Sequence, residues 1–333
     1  MNFGTDILTE TLELQDFYLA RKRIEPYTQK TPLVYSKKLS QQLNANIYLK
    51  YEHFHESGSF KYRGALNALN NLTEAQKQKG VITFSTGNHG YALALAAKKL
   101  NIRAIVCVSK NVPRAKTDRM VDLGTELEIY GNSQDEAEAR CYELAKSEGF
   151  MIIPPFDHLD IIAGQGTTAL EIIEDLPNTT DVIAGLSGGG LVSGIGAVMK
   201  KINPEIGVIG VSMEHGAAMH ESLKQGRPTI VDEPFSLADS LLGGIGDNNQ
   251  YTFNFVRQYM DYSILISEEC IKMGMAYLYK EHKIAVEGAA AVGVGALLNN
   301  KVSVKEGANI VVIISGSNVD LDAHYEAVRA YLD

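Results

Sequence analysis

The sequence predicts an α/β protein of open, mostly parallel sheets with helices packed on both faces. Short runs of β-branched residues alternate with longer segments of helical spacing, and this alternation recurs along most of the chain. Such alternation is typical of parallel sheets joined by crossover helices. Three of the loops that follow strands are also rich in glycine and in hydroxyl or amide side chains. Because ligands bind beyond the carboxyl ends of parallel strands, we expect the chemistry in these loops.

The predicted strands and helices follow one another in order. In the first half, short apolar runs predict strands at 47–50, 81–84, 104–108 and 127–130, which alternate with helices at 62–72, 90–100, 115–123 and 135–148. In the second half, strands are predicted at 181–184, 208–213 and 310–314, with helices at 192–200 and 321–332.

Composition excludes several classes of protein. The 333 residues are 45% hydrophobic and 21% charged, which is ordinary for a globular protein of one large or two modest domains. The net charge of -9 gives no electrostatic reason to bind nucleic acid or an anionic membrane. We see no apolar run of about 18 residues, as a membrane span requires, and no signal peptide at residues 1–10. The three cysteines form no disulfide framework or metal pair, so we expect a reducing, cytoplasmic setting.

Three consecutive glycines, Gly188–Gly190, lie between a predicted strand and a helix. Their backbone can approach a ligand closely, and N–H groups at a helix start suit a phosphate. A flexible turn is the alternative. A second alternative is a dinucleotide-binding loop, which would make the protein a nicotinamide-dependent dehydrogenase. Gly188, Gly190 and Gly194 approximate its glycine fingerprint and Glu214 ends the next strand, although the last glycine falls one position late.

Lys61 lies at the predicted start of a helix, where its charge opposes the helix dipole. Ser57, Gly58 and Ser59 leave open space beside it, and Phe60 supplies an apolar neighbour. A desolvated lysine loses its proton more readily and attacks carbonyl groups. An ordinary surface lysine is the alternative.

The loop Ser85–His89 offers two hydroxyls, one amide and several backbone donors, which suit a carboxylate ligand. The alternative is a helix start capped by Ser85 or Thr86, with His89 as a packed histidine. Ser315 closes a β-branched strand, from which its hydroxyl can reach a heterocyclic nitrogen. Its alternative role is the N-cap of the following helix.

Several motifs then carry a resemblance to a known family. They are Ser57–Ala65, Ser85–Gly90, Ala163–Thr167, Ser187–Leu191, Val286–Gly288 and Ser315–Asn318. Together they closely resemble the fold type II enzymes that depend on pyridoxal 5'-phosphate (PLP), specifically the serine/threonine dehydratase and serine racemase family. The stretches 154–158, 210–220 and 238–246 look most like the dehydratases associated with hydroxyectoine breakdown.

The resemblance implies two three-layer α/β domains, similar to tryptophan synthase β, with PLP in the cleft between them. The smaller domain would span residues 80–157, and residues 1–79 and 158–333 would form the larger one. The site residues that it implies are the Schiff-base lysine and general base Lys61, Phe60 beside the cofactor, Asn88 at its 3-oxygen, Ser187, Gly188, Gly189, Gly190 and Leu191 at its phosphate, Ser315 at its pyridine nitrogen, and Ser57, Ser85, Thr86 and His89 at the substrate carboxylate.

The activity that the resemblance implies is an ammonia-lyase (dehydratase) reaction, which converts a small β-hydroxy amino acid to an oxo acid and ammonia. A neutral serine opposite the pyridine nitrogen suits elimination. The implied protein is a cytoplasmic homodimer, with an amino acid as its small-molecule substrate and without nucleic acid or membrane partners. A racemase of the same family and a catalytically silent sensor that retains PLP are the alternatives.

At three points the sequence departs from the family pattern, which limits what the resemblance implies about activity, metal binding and regulation. Thr86 stands where racemases of the family carry a serine acting from the opposite face and many dehydratases an alanine, which favours dehydration and keeps a catalytic role for its hydroxyl. Ser212 and Ala218 stand where the main acidic metal ligands would be, with Glu214 offset, so a divalent cation is doubtful and we predict no metal ligand. The chain ends soon after the last motif, so we expect no regulatory domain.

A 3-hydroxyaspartate-like substrate stays open, because the resemblance to hydroxyectoine dehydratases includes it. Its second carboxylate would need a further donor, for which His158, His215 and Arg114 are candidates.

Overall fold

The computed structural model describes residues 11–112 and 114–332, with the backbone alone for 114–116. Its strands are β1 (Leu33–Tyr35), β2 (Asn46–Tyr51), β3 (Val81–Thr83), β4 (Ala104–Val108), β5 (Glu126–Ile129), β6 (Met151–Ile152), β7 (Asp181–Gly185), β8 (Gly207–Met213), β9 (Tyr262–Ile266) and β10 (Asn309–Ile314).

The α-helices pack around these strands. They are α1 (Leu14–Ile24), α2 (Lys37–Leu43), α3 (Lys61–Asn71), α4 (Glu74–Lys79), α5 (Asn88–Leu100), α6 (Arg114–Val121), α7 (Gln134–Glu148), α8 (Leu159–Asp175), α9 (Gly190–Ile202), α10 (Ala218–Gln225), α11 (Thr252–Tyr259), α12 (Glu268–Tyr277), α13 (Gly288–Leu298) and α14 (Leu321–Val328). Short 3-10 turns lie at Glu52–Phe54, Asp239–Leu241 and Arg329–Tyr331, and a π-helical turn at Leu278–His282.

The strands form two sheets, which confirms the predicted α/β class. The larger sheet has the order β1-β2-β10-β7-β8-β9, and the smaller one β5-β4-β3-β6. All neighbouring strands run parallel except β1 and β2, which pair antiparallel. The predicted helix 321–332 is shorter than expected, because α14 ends at Val328 and a 3-10 turn follows.

Apolar side chains cover both faces of each sheet. On the larger sheet, Ile310 and Val312 pack with α12 and α13, whereas Val311 and Ile313 pack with α8 and α9 on the other face. On the smaller sheet, one core contains residues of α3 and α5, and another contains residues of α7. This alternation follows from the two-residue period of a strand.

Helix α3 packs against α5 of the smaller sheet and against α8 of the larger one. All strands of the smaller sheet lie within 81–152, inside the segment predicted to be the small domain. The exact boundaries, 80–157 against 1–79 and 158–333, stay a prediction, and residues 1–10 and 333 lie outside the described residues. Within the described ranges, we find no helix that is both long and apolar enough to span a bilayer.

Candidate active site

A cavity of about 590 Å³ lies where loops of the two sheets meet. It is lined by the start of α3, by the loops that follow β3, β7 and β10, and by the segment 155–156. The predicted site residues that line it are Phe60, Lys61, Ser85, Thr86, Asn88, His89, Ser187, Gly188, Gly189, Gly190, Leu191 and Ser315. The structure therefore brings together residues that are far apart in the sequence.

Lys61 is the first residue of α3, as predicted. Its Nζ donates a hydrogen bond to the carbonyl oxygen of Pro155 at 2.6 Å and lies 5.3 Å from the centre of the Phe60 ring. Burial lowers the pKa of the Lys61 amine from 10.5 to about 8, because the charged form is poorly solvated there. At pH 7 about a tenth of this amine is thus neutral, far more than for an ordinary lysine, and this neutral fraction is available as a nucleophile or a base.

A short backbone pairing joins the lysine loop to the end of β10. Ser59 and Gly316 form an isolated antiparallel bridge, and the N–H of Phe60 donates to the carbonyl oxygen of Ser315 at 3.0 Å. Ser315 is only 9% exposed, and its hydroxyl forms no hydrogen bond with another described residue. A nearly buried hydroxyl at a cavity wall without a partner fits the ring nitrogen of a heterocyclic ligand.

The glycine loop after β7 leads into α9. Gly189 is the N-cap of this helix with a φ of +90°, and no side chain caps the helix start. A Cβ at Gly188 would lie 2.4 Å from the Phe156 ring, and one at Gly189 would lie 2.8 Å from the Val256 side chain. The glycines are therefore needed for packing and for the left-handed backbone. The uncapped helix start presents free N–H groups to the cavity, which fits a phosphate.

The loop after β3 has the same property. The N-cap of α5 is Gly87, and no side chain caps this helix, so the alternative in which Ser85 or Thr86 caps it is wrong. Both hydroxyl residues instead line the cavity. A Cβ at Gly90 would overlap the carbonyl group of Ser85, so glycine is required for this tight approach. Free N–H groups beside two hydroxyls suit a carboxylate ligand.

His89 is buried at the wall of the cavity, and its Nε2 lies 2.9 Å from the carbonyl oxygen of Ile153. Burial and the neighbouring Lys61 amine lower the pKa of this imidazole to about 3, so the ring is neutral. Because a carbonyl can only accept, Nε2 must carry the proton and Nδ1 must be an acceptor. In this tautomer the Nε2 proton is used by the carbonyl of Ile153, so the ring has no proton left to donate to a substrate carboxylate. The contact with Ile153 favours a structural role for His89 at the start of α5.

Several predicted residues lie elsewhere. Ser57 is fully buried, is not among the described residues that line the cavity, and donates to the carbonyl oxygen of Ser59 at 3.1 Å. His158 instead caps α8, where its Nδ1 accepts from the Asp160 N–H. His215 does not line the cavity either, and the Arg114 side chain lies outside the described residues.

The residues at the end of β8 bear on the prediction that the chain has no metal ligand. Ser212 is buried with its hydroxyl against the sulfur of Met213, and Glu214 is exposed at the end of the strand. In the parts of the chain that the structure describes, no group of three or more histidine, cysteine or acidic side chains could hold a metal ion.

A buried network of charges holds α3 in place behind Lys61. The Arg63 guanidinium, 1% exposed, donates to the carboxylates of Glu52 and Glu171 at distances from 2.7 to 2.9 Å. Lys50 adds a hydrogen bond to Glu171 at 2.6 Å. The Arg63 charge keeps the pKa of both carboxyls below the usual range, despite burial. Paired in this way, the buried charges are tolerated and orient the first turn of α3.

Sequence reasoning assigned no role to Glu287, although it lies at the cavity wall. Its carboxylate accepts from the Asn88 amide, the Ser240 hydroxyl and the Asn318 backbone. The sequence signal was a single acid inside an otherwise apolar run, Ile284–Val294. An acidic residue in such a run is seldom buried without partners.

The fold, the reactive lysine and the two uncapped helix starts define a class of enzyme that holds a phosphorylated aldehyde cofactor. The family model described as "Pyridoxal-phosphate dependent enzyme" matches residues 24–316, and the chain belongs to this family. PLP is its cofactor. Lys61, the N–H groups at Gly188–Gly190 and Ser315 fit this cofactor by the geometry described above.

Known relatives narrow the class further. The chain is 44% identical over 318 residues to a provisionally named threonine dehydratase of Sinorhizobium fredii, with 96% of each chain covered. It is 37% identical to the L-threonine ammonia-lyase of Thermotoga maritima, covering 93% of this chain and 77% of the relative. A crystal structure of serine racemase from Dictyostelium discoideum superposes with a TM-score of 0.85 at 34% identity, covering 92% of this chain and 99% of that one.

The family assignment excludes the dinucleotide alternative, and the structure gives the physical reason. Gly194 lies inside α9, where a Cβ would meet the carbonyl oxygen of Ile162 at 2.4 Å and the nitrogen of Gly166 at 2.5 Å. It is therefore a glycine of helix packing and not of a ligand loop. Glu214 is not among the described residues that line the cavity.

Proposed function

We propose that this chain is a PLP-dependent ammonia-lyase that converts a small β-hydroxy amino acid to an oxo acid and ammonia. The observation that carries the proposal is the Lys61 amine, whose pKa of about 8 keeps it partly neutral beside two uncapped helix starts. The names of the threonine dehydratase and threonine ammonia-lyase relatives support this reaction.

The residues that line the cavity fall into four binding assignments. We assign the phosphate of the cofactor to Ser187–Leu191 at the start of α9, its pyridine nitrogen to Ser315, and its 3-oxygen to Asn88, with Phe60 alongside. We assign the substrate carboxylate to the hydroxyls of Ser85 and Thr86 and to the free N–H groups at the start of α5. These assignments place the substrate between Lys61 and the loop after β3.

In the proposed reaction, Lys61 transfers one proton from the substrate Cα to the leaving hydroxyl group. When bound, PLP withdraws electrons from the Cα of the amino acid. The neutral Lys61 amine removes the Cα proton as general base, and the electron pair left on Cα expels the β-hydroxyl as the Cβ–O bond breaks. Lys61 returns that proton to the departing hydroxide, which leaves as water. The released enamine tautomerises and hydrolyses to the oxo acid and ammonia.

Charge in the cavity supports a substrate with an uncharged side chain. Among the described residues that line it, Lys61 is the one cationic side chain, since His89 is neutral. The carboxylates that line it are Asp135, Glu138, Glu233, Asp239 and Glu287. A second substrate carboxylate would meet negative charge without a described cation to pair it. We therefore propose threonine or serine ahead of 3-hydroxyaspartate.

Racemisation is the second candidate, because the Thr86 hydroxyl lines the cavity and a serine racemase is 34% identical. A proton donor on the face opposite to Lys61 would return a proton to Cα with inverted configuration. We expect elimination to dominate, and Thr86→Ala to reduce racemisation more than elimination. Chiral chromatography of residual serine, run beside the oxo-acid assay, measures the two rates. Equal loss of both would show that Thr86 serves only binding.

The anchor is tested by borohydride reduction of the purified holoenzyme, followed by peptide mass analysis. We expect a phosphopyridoxyl group on Lys61. Lys50 is the internal control, since it is a buried lysine outside the cavity that pairs with Glu171. An adduct on Lys50 or on any other lysine, or none at all, would overturn the assignment of Lys61.

The substrate is tested with the stereoisomers of serine, threonine and 3-hydroxyaspartate, each assayed for oxo acid and ammonia. We expect turnover of threonine or serine, with a kcat/KM for 3-hydroxyaspartate at least tenfold lower, which corresponds to about 1.4 kcal/mol. Preference for 3-hydroxyaspartate would refute the charge argument but leave the reaction class intact. The absence of oxo acid from every compound would refute the reaction class.

We further propose that the chain works as a homodimer in a reducing, cytoplasmic compartment, with 80–157 as the small domain and 1–79 with 158–333 as the large one. The three buried free cysteines support the compartment. The exposed aromatic ring of Phe54, stacked near Tyr51, supports a contact with a second copy. Sedimentation equilibrium of the wild type and of Phe54→Arg tests the dimer, and a monomeric wild type would refute it.

A further inference from the structure

Glu287 enters the function proposed so far only as one of the negative charges of the cavity, yet it is a buried acidic residue at the cavity wall. It is 5% exposed and stands at the N-cap position of α13, but its side chain does not cap that helix. The hydrogen bonds of its carboxylate therefore lie with other residues. Burial raises the pKa of this carboxyl, while the donors around it oppose that shift.

Three residues donate to this carboxylate. Its Oε1 accepts from Asn88 Nδ2 at 3.0 Å and from the Asn318 N–H at 2.9 Å. Its Oε2 accepts from Asn88 Nδ2 at 2.8 Å and from the Ser240 hydroxyl at 2.7 Å. All of these contacts are donations to the carboxylate, so the charged form is well satisfied.

The Asn88 amide is fixed from both ends. Both oxygens of Glu287 lie in one direction from Asn88 Nδ2, so they use one of its two N–H groups. Asn88 Oδ1 accepts from Asn318 Nδ2 at 2.7 Å, and Asn318 Nδ2 also donates to the carbonyl oxygen of Ser57 at 2.8 Å. A flipped amide would place its NH2 group against this donor. The orientation is thus determined, and the second N–H remains for the cavity that Asn88 lines.

Two glycines make room for this arrangement. A Cβ at Gly316 would lie 2.6 Å from Glu287 Oε1, and one at Gly58 would lie 2.6 Å from Asn318 Oδ1. Gly58 also has a φ of +73°, which a residue with a side chain rarely adopts. Both glycines belong to the motifs around Lys61 and Ser315, so those motifs accommodate the network as well as the cofactor.

We propose that Glu287 is a positioning residue, which orients the Asn88 amide so that its free N–H meets the 3-oxygen of the PLP ring. The inference rests on the cofactor contact proposed for Asn88. It assigns to Glu287 an effect on the cofactor that acts through Asn88.

The test compares Glu287→Gln with a matched control, Glu268→Gln. Glutamine replaces one of the two oxygens that accept from the Asn88 amide with an NH2 group, which repels the Asn88 N–H and so weakens the hold on the amide. Glu268 also accepts from a serine hydroxyl and a backbone N–H, those of Ser236 and Leu237, but it lies outside the cavity. In purified holoenzyme we expect Glu287→Gln to shift the visible absorption band of the cofactor. It should also speed PLP loss to a trapping agent roughly tenfold, the scale of one hydrogen bond to a charged group. We expect Glu268→Gln to change neither.

A double-mutant cycle decides whether Glu287 acts through Asn88. We expect Asn88→Ala to speed PLP loss by a similar factor, and Glu287→Gln to add nothing in the Asn88→Ala background. The same acceleration in both backgrounds, or no effect of Glu287→Gln, would overturn the proposal. If Glu287→Gln does not fold, Asn318→Ala replaces it, because it removes the donor that fixes Asn88 Oδ1. An unchanged spectrum in that variant would also overturn the proposal.

Failure of this inference is distinguishable from failure of the proposed function. If Asn88→Ala changes neither the spectrum nor PLP loss, the contact of Asn88 and the role of Glu287 both fall. Labelling of Lys61 by borohydride and turnover of threonine or serine test the lyase function independently of that result.

Discussion

Replacing Lys61 with methionine should remove a pH dependence from the stability of the cofactor-free protein. The pKa of the Lys61 amine is 10.5 in the unfolded chain and about 8 in the folded one, because burial disfavours its charge. Well below about pH 8 the amine is mostly protonated in both states. Between about pH 8 and 10.5 the unfolded chain binds a proton that the folded chain does not, so the stability that this group contributes rises with pH.

The magnitude follows from the two pKa values. At about 1.4 kcal/mol per pKa unit, the fall from 10.5 to about 8 corresponds to roughly 3 kcal/mol between the two pH limits. Methionine keeps an unbranched side chain without a titrating group. Relative to Lys61→Met, the wild type should therefore gain roughly 3 kcal/mol of unfolding free energy as the pH rises from 7 to 10.5.

Urea unfolding of both cofactor-free proteins at several pH values measures this difference. Because every other titrating group is shared, their contributions cancel in the comparison of the two proteins. A difference in unfolding free energy that stays constant from pH 7 to 10.5 would refute the reasoning. It would mean that the Lys61 amine titrates as an exposed lysine and is not prepared to act as a base near neutral pH.

Three further predictions concern the architecture around the site. Gly189→Ala places a side chain on a residue with a φ of +90°, so we expect the free energy of unfolding in urea to fall by about 1–3 kcal/mol. We also expect weaker PLP binding in titrations. An unchanged affinity would contradict the assignment of this loop to the phosphate. Asp157→Ala removes the acceptor of three backbone N–H groups at the start of α11 and should cost about 1–2 kcal/mol, whereas a neutral result would show that water replaces it. Glu52→Gln leaves the buried Arg63 charge partly unpaired and should lower the free energy of unfolding by about 3–5 kcal/mol. Glu126→Gln, in an exposed ion pair with Arg103, should lower it by less than about 1 kcal/mol. Similar losses for the two variants would contradict the argument that burial makes the first pair more important.

The sequence predicted those parts of the site that depend on local pattern. The turns at Lys61, Ser85 and Gly188 each join an apolar run to a helix, and the structure places all three at one cavity. Periodicity also predicted β7, β8 and β10. In each case the signal lies within a few consecutive residues, and the parallel architecture brings the loops together.

Other features had no comparable signal. Helix α13 is apolar on every side because it is buried between neighbours, so it lacks the one-sided pattern that identifies a helix. Strand β1 has three residues and pairs antiparallel at the sheet edge. The hydrogen bonds between Asn88 and Glu287 join positions 199 residues apart, and the tautomer of His89 depends on one carbonyl of a distant segment. Only tertiary structure determines such pairs.

The bridge between Ser59 and Gly316 has a mechanical consequence. It joins the segment that carries Lys61 directly to the strand end that carries Ser315, and both belong to the framework of the larger sheet. The spacing between the amine and the Ser315 hydroxyl would therefore be preserved if the smaller sheet moved. Such a shift would move Ser85 and Thr86 relative to this fixed pair, and it would also have to break the hydrogen bonds of Asn88 with Glu287 and Asn318. The backbone thus sets the distance between the two groups that we assign to the cofactor's aldehyde carbon and ring nitrogen.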